Sequence, residues 1–125
     1  MSDRILVIDD EKDILRIVAF TLQNWGYEVI TANNGQEGLN KISAEKPDLI
    51  LLDAGMPVMN GFQMLEQVRN NPDWQDIPVI MLTAHSDPKT IENALAYGIV
   101  DYITKPFDPM ELRERIEKAL SPSKS

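Results

Sequence analysis

The chain has 125 residues, 43% hydrophobic and 26% charged, which suits one soluble domain with a single core and leaves no room for a second. Its net charge of -8 and pI near 4.5 would repel a phosphate backbone, so direct nucleic-acid binding is not expected. Without cysteine there is no disulfide framework and no thiolate metal site, and no apolar run is long enough to span a bilayer. The start Met1-Ser2-Asp3-Arg4 leads straight into a strand pattern, so no secretory signal and a cytoplasmic address are expected.

Apolar strand-like runs alternate with amphipathic stretches five times along the chain. Residues 4–8 predict the first strand, and a helix follows from about Glu11, with Ile14, Leu15, Val18 and Leu22 at helical spacing and Gly26 as its stop. The second strand is predicted over 27–32. Asn34 then opens a helix with Glu37 three residues on, an approximate capping box, and Leu39 and Ile42 face inward. Pro47 ends that helix, and 48–53 reads as a third strand buried on both faces. After a loop over 54–60, a helix over 62–70 carries Met64, Leu65 and Val68. The fourth strand is predicted over 77–83, and Asp87-Pro88 caps a helix that ends at Gly98. The fifth strand spans 100–104, and Asp108-Pro109 with Glu111 caps a last helix in which Leu112, Ile116 and Leu120 recur every four residues. Residues 3–120 form the predicted domain, and 121–125 a polar, disordered tail.

Strict β–α alternation implies an α/β fold, a doubly wound parallel sheet with helices on both faces. Ligands in such folds sit beyond the carboxyl ends of the strands. Those ends carry Asp9-Asp10, Asp53, Thr83 and Lys105. Two like charges about 4 Å apart cost roughly 4 kcal/mol at an effective dielectric near 20, so three converging carboxylates call for a cation. An all-oxygen set favours Mg²⁺ over zinc. With an ammonium and a hydroxyl added, the site suits the equatorial oxygens of a phosphoryl group, and Asp53 on the central strand is the natural nucleophile for an acyl phosphate. Taken singly, each residue has a plainer explanation: Asp10 as a helix N-cap, Asp53 at a turn before Gly55, Lys105 as a loop lysine, Thr83 as a strand-end hydroxyl. Their joint placement on four strand ends outweighs those explanations.

The blocks Ile8-Asp9-Asp10-Glu11, Asp53-Ala54-Gly55-Met56-Pro57-Val58-Met59-Asn60-Gly61, Leu82-Thr83-Ala84 and Asp101-Tyr102-Ile103-Thr104-Lys105-Pro106-Phe107 resemble the signature blocks of response-regulator receiver domains of two-component systems, the chemotaxis receivers among them. The resemblance covers about 3–120, and the ordered set is far more specific than any block alone. It implies a flavodoxin-like five-stranded sheet of order 2-1-3-4-5. Chemotaxis receivers are a standard example of that order, so it comes from the resemblance and not from periodicity.

It also implies roles. Asp53 would accept a phosphoryl group from the phosphohistidine of a sensor histidine kinase or a histidine phosphotransfer protein. Asp10, Asp53 and the Gly55 carbonyl would bind Mg²⁺ directly, with Asp9 acting through water. Lys105 and Thr83 would meet phosphoryl oxygens, and Tyr102 would turn inward behind Thr83. A cis Lys105–Pro106 bond is expected. The phosphoryl group would favour the Thr83-in, Tyr102-in state and rebuild the face of helix four, strand five and helix five for a downstream effector or an output domain outside this chain. Such a protein is a phosphoacceptor switch, not an enzyme in the usual sense, catalysing only its own phosphorylation and dephosphorylation. Some receivers pair through that face on activation; no residue pattern here decides whether this one does.

Asn60 replaces an aspartate frequent in relatives, Ile99 and Val100 are bulkier than the common small residues, and Ala54 stands where some relatives place a reporter tryptophan. Trp25 and Trp74 lie on other segments, so weak fluorescence responses are expected. His85 is the single histidine, read first as an exposed loop residue, with a role at the pocket mouth as the alternative. Met56 and Met59 read as packing. A flavodoxin would need a Ser/Thr/Gly-rich loop after the first strand where Asp9-Asp10-Glu11-Lys12-Asp13 stands. A haloacid-dehalogenase-like phosphatase would need its nucleophile on strand one and a cap domain. A receiver-shaped interaction module without phosphorylation is the remaining alternative, and the full set of acidic, Thr and Lys residues speaks against it.

Overall fold

A computed structural model describes residues 3–53, 61–83 and 88–120, with Thr83 and Thr90 described in their backbone alone. The order is β1(Arg4–Ile8), α1(Lys12–Asn24), β2(Glu28–Ala32), α2(Gly35–Glu45), β3(Leu49–Asp53), α3(Gly61–Asn70), β4(Val79–Thr83), α4(Pro88–Ala96), β5(Asp101–Thr104) and α5(Pro109–Ala119). All neighbouring strands pair in parallel, in the order β2-β1-β3-β4-β5. The α/β alternation and the implied 2-1-3-4-5 order are both present.

Alternate side chains along each strand feed two cores, as the two-residue period requires. Leu6, Ile8, Ile50, Leu52, Val79 and Met81 point to one face, where α2, α3 and α4 contribute Leu39, Ile42, Met64, Leu65, Val68 and Ala94. Ile5, Val7, Leu49, Leu51, Ile80, Leu82 and Ile103 point to the other, covered by Leu15, Val18 and Leu22 of α1 and by Leu112 and Ile116 of α5. Every residue of β3 is buried, as its unbroken apolar run predicts.

Helix ends account for the small boundary differences. At the end of α1, Gly26 takes a positive φ of 95°, its amide donates to the Gln23 carbonyl and the Tyr27 amide to the Leu22 carbonyl. This Schellman closure takes the Tyr27 amide, and β2 begins at Glu28. Lys46, at φ 49°, closes α2 before Pro47 is reached. Asn34 Oδ1 accepts from the Glu37 amide at 2.8 Å, while Glu37 Oε1 accepts from the Asn33 amide and not from Asn34, so the predicted box is shifted by one residue. Asp108 Oδ1 caps α5 by accepting from the Met110 amide. Pro78 has no amide hydrogen to give a ladder, and β4 starts at Val79, two residues later than expected. Trp25 lies beneath the Arg113 guanidinium, 5.4 Å from the ring centroid, and Trp74 packs on the α2–α3 core. Ile99 is buried there too, whereas Val100 is exposed.

Candidate functional site

Register brings the predicted residues together. Ile8 pairs opposite Leu52, Asp53 opposite Leu82, and Thr83 opposite Thr104. The strands therefore end at nearly one level, and Asp9, Asp53, Thr83 and Lys105 leave the sheet at its carboxyl edge. Hydrophobic neighbours hold this edge stiff, because Ile8, Leu52 and Leu82 are all buried.

Asp9 is 2% exposed and Asp53 7%, in a fold whose other buried residues, among those described, are apolar. Buried carboxylates need partners. Asp9 has two: its Oδ1 accepts from the Glu11 amide at 3.0 Å, and its Oδ2 accepts from Lys105 Nζ at 2.6 Å. Lys105 Nζ also stands 3.6 Å from Asp53 Oδ1 and 3.9 Å from Glu11 Oε1. Burial alone would pull this ammonium's pKa down. The hydrogen bond to Asp9 and the charges of Asp53, Asp9 and Glu11 together outweigh burial and hold it above its ordinary value of 10.5.

Asp10 lies at the exposed rim. The N-cap position of α1 is Glu11, so the plainer explanation of Asp10 as the helix cap does not hold. One oxygen each from Asp9, Asp10 and Asp53 fall within 4.8 Å of one another, a spacing that could hold a metal ion. The three-carboxylate donor set, with neither nitrogen nor sulfur, fits a hard divalent cation such as Mg²⁺.

The Thr83 backbone closes β4 at the same edge; its hydroxyl, like Gly55, His85 and the Met56 to Asn60 stretch, lies outside the described residues. Asp87, the expected cap of α4, and the tail over 121–125 lie outside them as well. Tyr102 is half-buried, opposite Met81, and packs against the core that α2, α3 and α4 cover. The Lys105–Pro106 bond is cis. Glu11 had no assigned role in sequence, yet its amide orients Asp9 and its carboxylate approaches Lys105. Its place directly after the two aspartates was the available signal.

Comparisons with known proteins agree with this fold. Residues 5–117 match the model of the response regulator receiver domain family. The chain is 40% identical over 120 residues to the alkaline phosphatase synthesis transcriptional regulatory protein PhoP of Bacillus subtilis (strain 168), covering 96% of this chain and 49% of that one. It is 38% identical to the phosphate regulon transcriptional regulatory protein PhoB of Escherichia coli (strain K12), covering 96% and 52%. The chain thus spans about half the length of these regulators. Among solved structures, the chemotaxis protein CheY4 of Vibrio cholerae superposes with a TM-score of 0.91 at 35% identity, covering 96% of this chain and 100% of that one. Family model, fold and two-component relatives converge, and the chain belongs to the response regulator receiver domain family.

Proposed function

We propose that residues 3–120 act as a phosphorylation switch in which Asp53 accepts a phosphoryl group from the phosphohistidine of a sensor histidine kinase or a histidine phosphotransfer protein. The observation that carries this is the Lys105 ammonium, 2.6 Å from Asp9 and 3.6 Å from Asp53, beside carboxylate oxygens spaced for a divalent cation. An Asp53 carboxylate oxygen forms the new bond to phosphorus as the bond to the imidazole nitrogen breaks, and the electron pair of that bond stays on the imidazole. Lys105 neutralises charge on the phosphoryl oxygens and shields Asp53 from the Asp9 carboxylate. Asp10, Asp53 and the Gly55 carbonyl would hold Mg²⁺, with Asp9 acting through water. Bound there, Mg²⁺ supplies divalent charge against the phosphoryl oxygens. The Thr83 hydroxyl engages a further oxygen, Tyr102 turns inward, and the α4–β5–α5 face changes for an effector protein or an output domain.

The protein catalyses only its own phosphorylation and dephosphorylation, works in the cytoplasm, and self-associates through that face on activation if the face is self-complementary. Among the described residues, no helix is long and apolar enough to cross a membrane. Incubation with a small phosphodonor and Mg²⁺ should add one phosphoryl mass to the intact chain. EDTA should abolish the gain, and Asp53→Asn should lack it. Labelling that persisted in Asp53→Asn would refute the assignment, and no labelling of the wild type would favour a phosphorylation-independent interaction module. Sedimentation with and without beryllium trifluoride tests the pairing.

A further inference from the structure

Among the described residues, the hydrogen bonds that fasten α4 to its neighbours fall at its C-terminal end. Along its length, Ala94 alone is buried among the described side chains, Ile91 is half-buried, and Pro88, Lys89, Glu92, Asn93, Leu95 and Ala96 are exposed. Among the described side chains, therefore, little apolar area seats the helix on the sheet. Its N-terminal end follows Thr83 and the candidate site through only four residues, 84–87.

The C-terminal end is bound tightly. Gly98 takes a φ of 84°, its amide donates to the Leu95 carbonyl, and the Ile99 amide reaches the Ala94 carbonyl at 3.4 Å, a second Schellman closure. That closure leaves the Tyr97 and Gly98 carbonyls for outside donors, and Arg69 in the last turn of α3 provides them. Its Nε donates to the Tyr97 carbonyl at 3.1 Å and its Nη2 to the Gly98 carbonyl at 3.2 Å. Its Nη1 donates to the carbonyls of Gln75 at 2.6 Å and Ile77 at 3.2 Å, in the connection that enters β4. One guanidinium thus joins α3, the entrance of β4 and the end of α4, a geometry its planar fork permits and a lysine cannot copy. The fit is close, since a Cβ at position 98 would come within 3.2 Å of Arg69 Nε. Tyr97 adds a ring contact with Phe62 at 6.1 Å between centroids, and the Val100 amide donates to the Val79 carbonyl.

We infer that Arg69 is a positioning residue that pins the C-terminal end of α4 and the entrance of β5, making Gly98 a fixed pivot. This rests on the switch reading of Asp53: a change that starts at the end of β4 reaches the loosely seated body of α4 first and stops at the pin. The clamp itself is independent of phosphoryl chemistry.

Amide exchange followed residue by residue by NMR tests it, on wild type, Arg69→Lys and Tyr97→Phe. In the unmodified protein, Arg69→Lys should speed exchange at Tyr97 to Val100 by about tenfold or more, the factor that losing a charged hydrogen bond produces. Leu6 in β1 and Leu51 in β3 should stay as in wild type. Tyr97→Phe should leave the same amides slow, because the clamp holds the carbonyl and not the hydroxyl. Adding beryllium trifluoride with Mg²⁺ should alter exchange over 92–95 in wild type while Tyr97 to Val100 hold, and in Arg69→Lys the response should extend to them. Unchanged exchange at Tyr97 to Val100 in Arg69→Lys would overturn the pin. So would equal acceleration at Leu6 and Leu51, or failure of the variant to fold, since Arg69 would then be a general stabilising contact. No response of wild type to the mimic would count against the switch reading of Asp53, while the unmodified comparison still decides the clamp.

Discussion

Replacing Lys105 by Met removes the one cation that the structure, among the described residues, places between the buried carboxylates, while keeping most of the side chain's apolar volume. The lost attractions run over 2.6 Å to Asp9 and 3.6 Å to Asp53. At an effective dielectric near 20 these amount to about 6 and about 5 kcal/mol before desolvation. Burying the ammonium, whose side chain is 13% exposed, offsets much of this; removing one partner of a buried pair typically costs about 3–5 kcal/mol. The lower end applies here, because Asp10 at the rim is exposed and water reaches that side. In EDTA at neutral pH the variant should therefore unfold with a free energy about 3 kcal/mol below wild type by urea titration.

Mg²⁺ should recover part of that loss. The ammonium and a divalent cation draw on the same Asp9 and Asp53 carboxylates, so each tenfold gain in cation affinity on removing Lys105 adds about 1.4 kcal/mol of stabilisation at saturating Mg²⁺. The pH dependence has a definite sign. The folded Lys105 pKa is raised, so its contribution is complete below the ordinary value of 10.5 and is lost as pH rises through the folded pKa. The difference between wild type and variant should accordingly persist through neutral pH and shrink as pH rises through that alkaline window. Equal stability of the two proteins in EDTA, or equal gains from Mg²⁺, would refute the electrostatic account.

Two further outcomes test the scaffold. Ile50 is fully buried in β3, between Leu6 and Val79, and Ile50→Ala should cost about 2–5 kcal/mol in urea unfolding; a loss under about 1 kcal/mol would mean the site's floor is loosely packed. Burial, with Glu117 and Asp3 nearby and Arg113 opposing, pushes the Tyr27 phenol above 10. Its phenolate absorbance should rise late, and stability linked to it should fall as pH climbs through that raised value; a titration curve of unchanged shape in Tyr27→Phe would contradict this.

Local chemistry made much of the molecule legible in the sequence. Asn34 and Asp108 marked helix starts because their side chains accept from amides a few residues on, and Gly26 and Gly98 marked ends because both take positive φ. The apolar run at 49–52 marked the central strand. Strand order was harder: it came from resemblance, because the alternation of strands and helices fits several parallel orders.

Side-chain partners at the site were less legible. That Asp9 accepts from Lys105 and from the Glu11 amide is visible only in the structure. Ninety-six positions separate Asp9 from Lys105, and only the sheet's register brings them within 2.6 Å. Arg69 gave no signal, since its partners are four backbone carbonyls and a carbonyl carries no residue identity.

From the amino-acid order alone came the β–α alternation, the helix limits and the acidic and basic groups waiting at strand ends, because periodicity and capping act over a few residues. Tertiary structure alone decided which carboxylate holds the ammonium, that Asp10 stays at the rim, and that Arg69 meets the C-terminal end of α4, because those outcomes depend on distances between segments far apart in the chain.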